Sequence, residues 1–116
     1  MNSPVSQKTL NVSADYPDLR DRYYQPNVTP LKPFIDPPGN LVILDQGKDG
    51  ACTGFALAAT INFIYRQQGR KQTVSPWMLY AMAKRHDEWL GEAYEGSSCR
   101  GAIKGWYNSG VCHASL

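Results

Sequence analysis

The sequence lacks the features that mark several classes of protein. No stretch approaches the ~20 consecutive apolar residues of a membrane-spanning helix, so no membrane segment is predicted. Residues 1–4 open no apolar signal region, and a cytoplasmic location is therefore the default expectation. The net charge is only +2, and the basic residues form no continuous stripe. Nucleic acid is therefore not an expected partner.

Cysteine and histidine are also scarce. The three cysteines are an odd number, which argues against a secreted scaffold held by disulfides. His86 lies among charged residues and is predicted in a solvated polar turn. Together with Cys99, Cys112 and His113 it has no recognised zinc-ligand spacing, so we expect no metal and no cofactor.

One short segment stands out against this background, and it reads Gln46-Gly47-Lys48-Asp49-Gly50-Ala51-Cys52-Thr53-Gly54-Phe55-Ala56. A glutamine precedes a cysteine by six residues, with two glycines between them, and an apolar helical pattern begins at the cysteine. This pattern places the thiol at the positive end of a helix dipole, which favours the nucleophilic thiolate. The Gln46 amide could then donate a hydrogen bond to a developing oxyanion.

These residues resemble the signature of the papain-like cysteine peptidases, Gln-Gly-x-x-Gly-(Ser/Ala)-Cys-(Trp/Tyr)-(Ala/Gly)-Phe. The sequence departs from it at Thr53, where Trp or Tyr is usual, and at Asp49, where many members have a disulfide-forming cysteine. The resemblance implies Cys52 as nucleophile and Gln46 in the oxyanion hole. It also implies a peptide or protein substrate, hydrolysed through an acyl-enzyme.

A second segment, Glu95 to Lys104, is similar to the loop that lines the cleft in this family. A glycine there lets a substrate backbone approach closely, as a Cβ would not. By resemblance, Gly96 pairs with an extended peptide in the manner of strand addition. The substrate-binding residues implied in this way are Gly96, Ser97 and Gly50.

The family's catalytic histidine and asparagine lie about 130–150 residues after the cysteine, beyond the last residue of this sequence. The resemblance therefore predicts a mainly α structure, the helical half of the α+β papain-like fold. Residues 1–40 would form an extended, proline-rich N-terminal arm, and residues 41–116 the helical half of the peptidase domain. We expect this chain alone to be inactive. The expected partner is the missing histidine-bearing half, or a second copy bound through the exposed face.

The pattern predicts three helices. The first, Cys52 to Gln68, is apolar nearly all round, so a central buried helix is expected at the nucleophile, with Gly69 beyond its end. Two shorter helices follow, one capped by Ser75 with Pro at its first position and one capped by Ser98, about residues 99–108. Residues 41–44 are predicted as a short strand or a buried extended segment, and residues 37–40 as a turn.

Two other interpretations are compatible with the sequence. The chain could be a non-catalytic pseudoenzyme or binding module that uses the Gly96 groove to hold a peptide or partner. It could also be a plain helical scaffold, in which case Gln46 and Gly96 would lie away from Cys52. For Cys99, a position lining the cleft and a buried thiol are both compatible with the sequence. Cys112 is expected to be structural or to pair with a group outside this sequence.

Overall fold

The computed structural model describes residues 9–39 and 41–115, and within them the fold is dominated by three helices. Helix α1 spans Cys52–Gln67, α2 spans Pro76–His86 and α3 spans Cys99–Ser109. Two-residue strands β1, Val12–Ser13, and β2, Ser97–Ser98, pair in parallel. The predicted helix-dominated fold is confirmed. No helix in the described ranges is both long and apolar enough to cross a membrane.

Helix α1 begins at the cysteine, as predicted, and runs for 16 residues. Gly69, at φ +73°, ends it in the left-handed conformation that glycine adopts without a steric penalty. The expected burial of this helix holds for one face and not for the other, however. Phe55 and Ile61 are buried, but Ala59 is exposed and Ile64 is 43% exposed. One face of the helix is therefore left uncovered by the described residues.

Helix α2 begins at a side-chain cap. The Ser75 hydroxyl accepts a hydrogen bond from the Met78 N–H at 3.2 Å, and Pro76 fills the first helical position. The buried face of α2 carries Leu79 and Ala83. These local signals explain why this start could be predicted from the sequence.

A small apolar core joins α1, α2 and the segment between them. Ala58 and Ile61 of α1 pack with Val74 and Leu79, and all four side chains are at most 5% exposed. The Asn62 side chain accepts the Val74 N–H at 2.9 Å, which satisfies a buried backbone donor. The core therefore fixes the direction of α1 and of its first residue, Cys52.

Helix α3 packs closely against α2 because its contact residues are small. A Cβ added at Gly105 would lie 2.7 Å from the Met82 backbone, and one at Gly101 would lie 2.7 Å from the Asp87 Cβ. Ser98 caps the helix by accepting the Gly101 N–H at 2.9 Å. This packing places the segment before α3 beside the end of α2.

The apolar run at residues 41–44 forms no strand, and its first three residues are exposed, which corrects the prediction; Leu44 is half-buried against the core. Val42 is 61% exposed and Ile43 is 90% exposed. The run is extended alongside α1, and no described element covers its outer side. Hydropathy alone could not reveal this, because an apolar run reads the same whether or not a partner surface is present.

The described part of the N-terminal arm, residues 9–39, is extended apart from short turns and returns to the helical domain. Strand β1 pairs Val12 with Ser97 and Ser13 with Ser98. Beyond β1 most arm side chains are exposed. Of the predicted turn at residues 37–40, Gly39 lies in a turn, and Asn40 lies outside the described residues.

Candidate active site

The site is built on a tight loop that brings Gln46 back to Cys52. Gly47 adopts φ +65°, and its N–H donates to the Asp45 side chain at 2.8 Å. The chain then enters α1 at Cys52, whose thiol is half-buried. The Gln46 Nε2 donates to the Cys52 Sγ at 3.2 Å. The expected proximity of these two side chains is confirmed, at direct hydrogen-bond distance.

The Gln46 amide is fixed in orientation by its own loop. Its Nε2 has two N–H donors, and the Asp49 carbonyl accepts from it at 2.8 Å. The other acceptors are the Cys52 Sγ and the backbone carbonyl of Thr9, which lies 3.0 Å away. Because one Gln46 N–H is bonded to the Asp49 carbonyl, the second N–H of the same amide is directed at the space beside the sulfur. This is the orientation that stabilisation of an oxyanion requires.

The Thr9 carbonyl of the arm occupies that space. Its oxygen accepts from the Gln46 Nε2 at 3.0 Å and from the Cys52 thiol at 3.3 Å. Two side chains that are six residues apart thus converge on one peptide oxygen from a distant part of the chain. No pattern in the sequence indicated this contact.

The arm continues from this point along residues 96–98, which we call the edge. The Ser97 N–H donates to the Asn11 carbonyl at 3.3 Å, and β1 follows in parallel with β2. Gly96 adopts φ +89°, and a Cβ added there would overlap the Asn11 backbone. A Cβ on Gly50 would lie 2.9 Å from the Asn11 side chain. Gly50, Gly96 and Ser97 therefore all border one extended backbone.

The edge is held from behind by residues that were not singled out from the sequence. The Tyr80 hydroxyl accepts the Gly96 N–H at 2.9 Å. The Asp87 carboxylate accepts the Ser97 hydroxyl at 2.8 Å. Asp87 follows His86 directly, in the turn that was expected to be solvated, but it is half-buried. No local pattern could have identified these residues, because each contact spans ten or more positions along the chain.

An ion pair fastens the arm to the first turn of α3. The Arg100 guanidinium donates to both carboxylate oxygens of Asp21, at 2.8 and 2.7 Å, and the Arg100 N–H donates to Asp15 at 2.8 Å. The hydrogen bonds from Arg100 lower the pKa of Asp21 below its ordinary value of 3.8. Arginine is suited to this planar, two-point contact with a carboxylate.

An apolar groove borders the thiol. It has a volume of about 570 Å³, and its lining combines residues 41–44, Gln46, Cys52 and the uncovered face of α1. Thr53 does not line it and is only 4% exposed. Successive helix residues are turned by ~100°, which directs the residue after Cys52 away from the groove.

The remaining cysteines and the histidines lie elsewhere. Cys99 is exposed, so it is not a buried thiol, and it lines a pocket with Arg100 rather than the groove at Cys52. Cys99 and Cys112 are both free thiols. His86 contacts Ser109 at 3.5 Å, and His113 contacts Ser115 at 2.8 Å.

The described residues contain neither a histidine bonded to the Cys52 thiol nor a group of three potential ligands that could hold a metal ion. Within these residues, the thiol has the Gln46 amide and the Thr9 carbonyl as its hydrogen-bond partners.

Comparison with solved structures agrees with this architecture. The structure is similar to the crystal structure of xylellain, a cysteine protease from Xylella fastidiosa, with a TM-score of 0.79 and 28% sequence identity. The match covers 92% of this chain and 41% of the xylellain chain. The sequence matches no protein-family model and no curated protein.

The resemblance to the papain-like cysteine proteases is thus confirmed at the level of the fold. The chain has the helix-dominated part of that fold and spans less than half the length of the xylellain chain.

Proposed function

We propose that this chain carries the nucleophile and the substrate-binding edge of a cysteine-type peptidase. Cys52 attacks the carbonyl carbon of an extended peptide, and the Gln46 side chain and the Cys52 backbone N–H stabilise the oxyanion. The peptide C–N bond then breaks, and the amine leaves with the proton that a general base took from the thiol. Water hydrolyses the resulting acyl-enzyme, which releases the carboxylic acid and restores the thiol. The supporting observation is that the Gln46 amide and the Cys52 thiol both contact one peptide oxygen, that of Thr9.

The edge supplies the binding part of this function. A substrate in extended form would take the place of the arm, accept the Ser97 N–H and lie close to the two glycines, Gly50 and Gly96. Glycine at these positions leaves room for a main chain. In this role Ser97 contributes its backbone, because its side chain is directed toward Asp87.

The general base must come from outside the residues that contact the thiol here. The two histidines of the chain bond to serines elsewhere. We therefore expect this chain alone to turn over no peptide, and a histidine-bearing partner segment to complete the site. The apolar groove beside Cys52 is the surface on which such a segment would pack. A second copy of this chain is the alternative occupant of that groove.

The test is labelling with an irreversible thiol-directed peptide probe. It is run on this chain and on a longer protein that includes a downstream histidine, each beside its Cys52→Ala variant. We expect Cys52-dependent labelling of the longer protein only. Fast labelling of the short chain, lost on His86→Ala or His113→Ala, would refute the need for an outside base.

A binding module without catalysis is the second candidate, and the occupied edge favours it. The arm already lies where a peptide would bind, and its carbonyl fills the oxyanion position. Labelling of neither form, together with binding of an extended peptide to the edge, would select this function over hydrolysis. Sedimentation of the short chain at increasing concentration separately tests self-association through the groove.

A further inference from the structure

The Asp87 carboxylate is the centre of a small polar network behind the edge. Its Oδ1 accepts the Tyr94 hydroxyl at 2.5 Å and the Trp89 N–H at 3.2 Å. Its Oδ2 accepts the Ser97 hydroxyl at 2.8 Å. Both carboxylate oxygens are thus bonded, and one of them bonds directly to the middle residue of the edge.

We propose that Asp87 is a positioning residue that holds residues 96–98 in the extended form and register that receive a peptide. The proposal rests on the function proposed above, because it concerns the edge to which the substrate would bind. It assigns to Asp87 no contact with the substrate or with the reacting atoms.

The first argument is that Ser97 depends on this carboxylate. Ser97 is 1% exposed, so its hydroxyl has no access to water in place of the Asp87 acceptor. A buried hydroxyl left without a partner is costly, and bonds to a charged acceptor are stronger than neutral ones. The backbone of Ser97, which donates to the arm, is therefore fixed by its own side chain.

The second argument is that the network sets the register of the edge. The neighbouring carboxylate, Glu88, accepts the Ser98 hydroxyl at 3.1 Å. Consecutive acids thus hold consecutive serines, Asp87 with Ser97 and Glu88 with Ser98. A slip of the edge by one residue would leave one of the two acids without a serine hydroxyl, and in a strand it would also move each side chain to the opposite face.

The third argument is that the geometry suits a carboxylate. Three donors converge on Asp87, and an ionised carboxylate is purely an acceptor. Burial raises the pKa of Tyr94 to about 12, with a further contribution from Asp87, so the phenol remains a donor at neutral pH. An amide at position 87 would present N–H groups to at least one of the three donors.

The test compares Asp87→Ala and Asp87→Asn in the full chain, with amide hydrogen exchange as the readout. The reporters are the Gly96 N–H, whose acceptor Tyr80 lies outside the arm, and the Ser97 N–H, which donates to the arm. Glu92→Gln is the matched control, because it removes an exposed carboxylate between α2 and the edge that pairs with Arg85.

We expect Asp87→Ala to raise exchange at both reporters about 10- to 100-fold, the range for loss of a hydrogen bond to a charged group. Asp87→Asn should restore part of the protection, since it keeps one acceptor oxygen. Amides in the middle of α1 should change far less, and Glu92→Gln should change neither reporter. Unchanged exchange at Gly96 and Ser97, or an equal rise throughout α1, would overturn the proposal.

Ser97→Ala provides a second route if Asp87→Ala does not fold. It removes the same hydrogen bond from the other side and leaves Asp87 its bonds to Tyr94 and Trp89. In the double variant of Ser97→Ala and Asp87→Asn, the fold-increase in exchange should be smaller than the product of the two single-variant increases. Fully multiplicative effects would mean that the two residues act independently, against the proposal.

This readout separates the proposal from the proposed function. Exchange at the edge does not require a reactive thiol, whereas probe labelling at Cys52 does. Loss of protection in the Asp87 variants, with no labelling of Cys52 in any form, would retain the positioning role and reject the hydrolytic function. Labelling of Cys52 in the longer protein, with unchanged exchange in the Asp87 variants, would retain the hydrolytic function and reject the positioning role.

Discussion

The arm should be displaced from Cys52 when a side chain is added at Gly96, and the variant Gly96→Ala tests this. The arm passes so close to Gly96 that an added Cβ would overlap the Asn11 carbonyl and lie 2.8 Å from the Asn11 Cβ. The contact is with backbone, which cannot rotate away as a flexible side chain could. We therefore expect the variant to displace the arm from the edge and to remove the Thr9 carbonyl from Cys52.

The magnitude follows from two separate costs. Gly96 has φ +89°, and a left-handed residue other than glycine costs about 1–2 kcal/mol whether or not the arm is bound. Overpacking against Asn11 costs a further ~1–3 kcal/mol, but only while the arm is bound. The second cost alone shifts the arm equilibrium, by about 5- to 150-fold toward the detached state.

Alkylation of Cys52 by iodoacetamide, followed by mass spectrometry, measures that shift. Cys112 is the internal reference, since its backbone carbonyl accepts the Ser75 N–H at the start of α2, well away in sequence from the arm. The ratio of the Cys52 rate to the Cys112 rate should rise within the 5- to 150-fold range, up to the limit set by the fully detached arm.

Gly91→Ala is the matched control. Gly91 has φ +79°, close to that of Gly96, but a Cβ there meets no atom within 4 Å. It therefore carries the left-handed penalty without the overlap. A folded Gly96→Ala protein with an unchanged Cys52 ratio would refute the steric argument. An equal rise in Gly91→Ala would show that backbone strain, not contact with the arm, is responsible.

Three further changes test other parts of the site. Asp21→Asn breaks the two-point contact with Arg100, so it should raise the Cys52 alkylation ratio at neutral pH. Because the folded-state pKa of Asp21 is lowered, its contribution is complete above pH 3.8 and is lost as the pH falls through the lowered value. Arm amides followed by nuclear magnetic resonance should show an acid-dependent release that Asp21→Asn weakens. In any longer form that hydrolyses a peptide, Gln46→Ala should lower kcat by about 10²- to 10³-fold with little change in KM, the usual effect of losing an oxyanion donor. Ser75→Ala should lower the free energy of unfolding by about 0.5–2 kcal/mol in urea denaturation, through loss of the α2 cap.

The parts of the fold that could be predicted from the sequence are those set by neighbouring residues. Ser75 and Ser98 cap their helices through bonds to residues three positions away. Gln46 reaches Cys52 across six residues, so spacing alone indicated their proximity. In each case the chain between the two groups is too short to adopt many other arrangements.

The parts that could not be predicted depend on contacts between distant segments. Thr9 meets Gln46 across 37 residues, and Asp15 meets Arg100 across 85. The arm has many prolines and no hydrophobic period, and nothing in its pattern specifies where it docks. The same limit applies to α1, because an apolar helix does not show which face will remain uncovered.

The bound arm also changes how ligand affinity at this site should be interpreted. In the proposed function a peptide binds the edge only when the arm is detached, so its apparent affinity would be its intrinsic affinity multiplied by the detached fraction. Asp21→Asn detaches the arm without altering the edge, whereas the Cβ in Gly96→Ala obstructs a substrate backbone as well as the arm. Both variants should therefore increase alkylation by iodoacetamide, but only Asp21→Asn should bind an extended peptide more tightly. Tighter peptide binding by Gly96→Ala would mean that the arm and the peptide occupy different paths past Cys52.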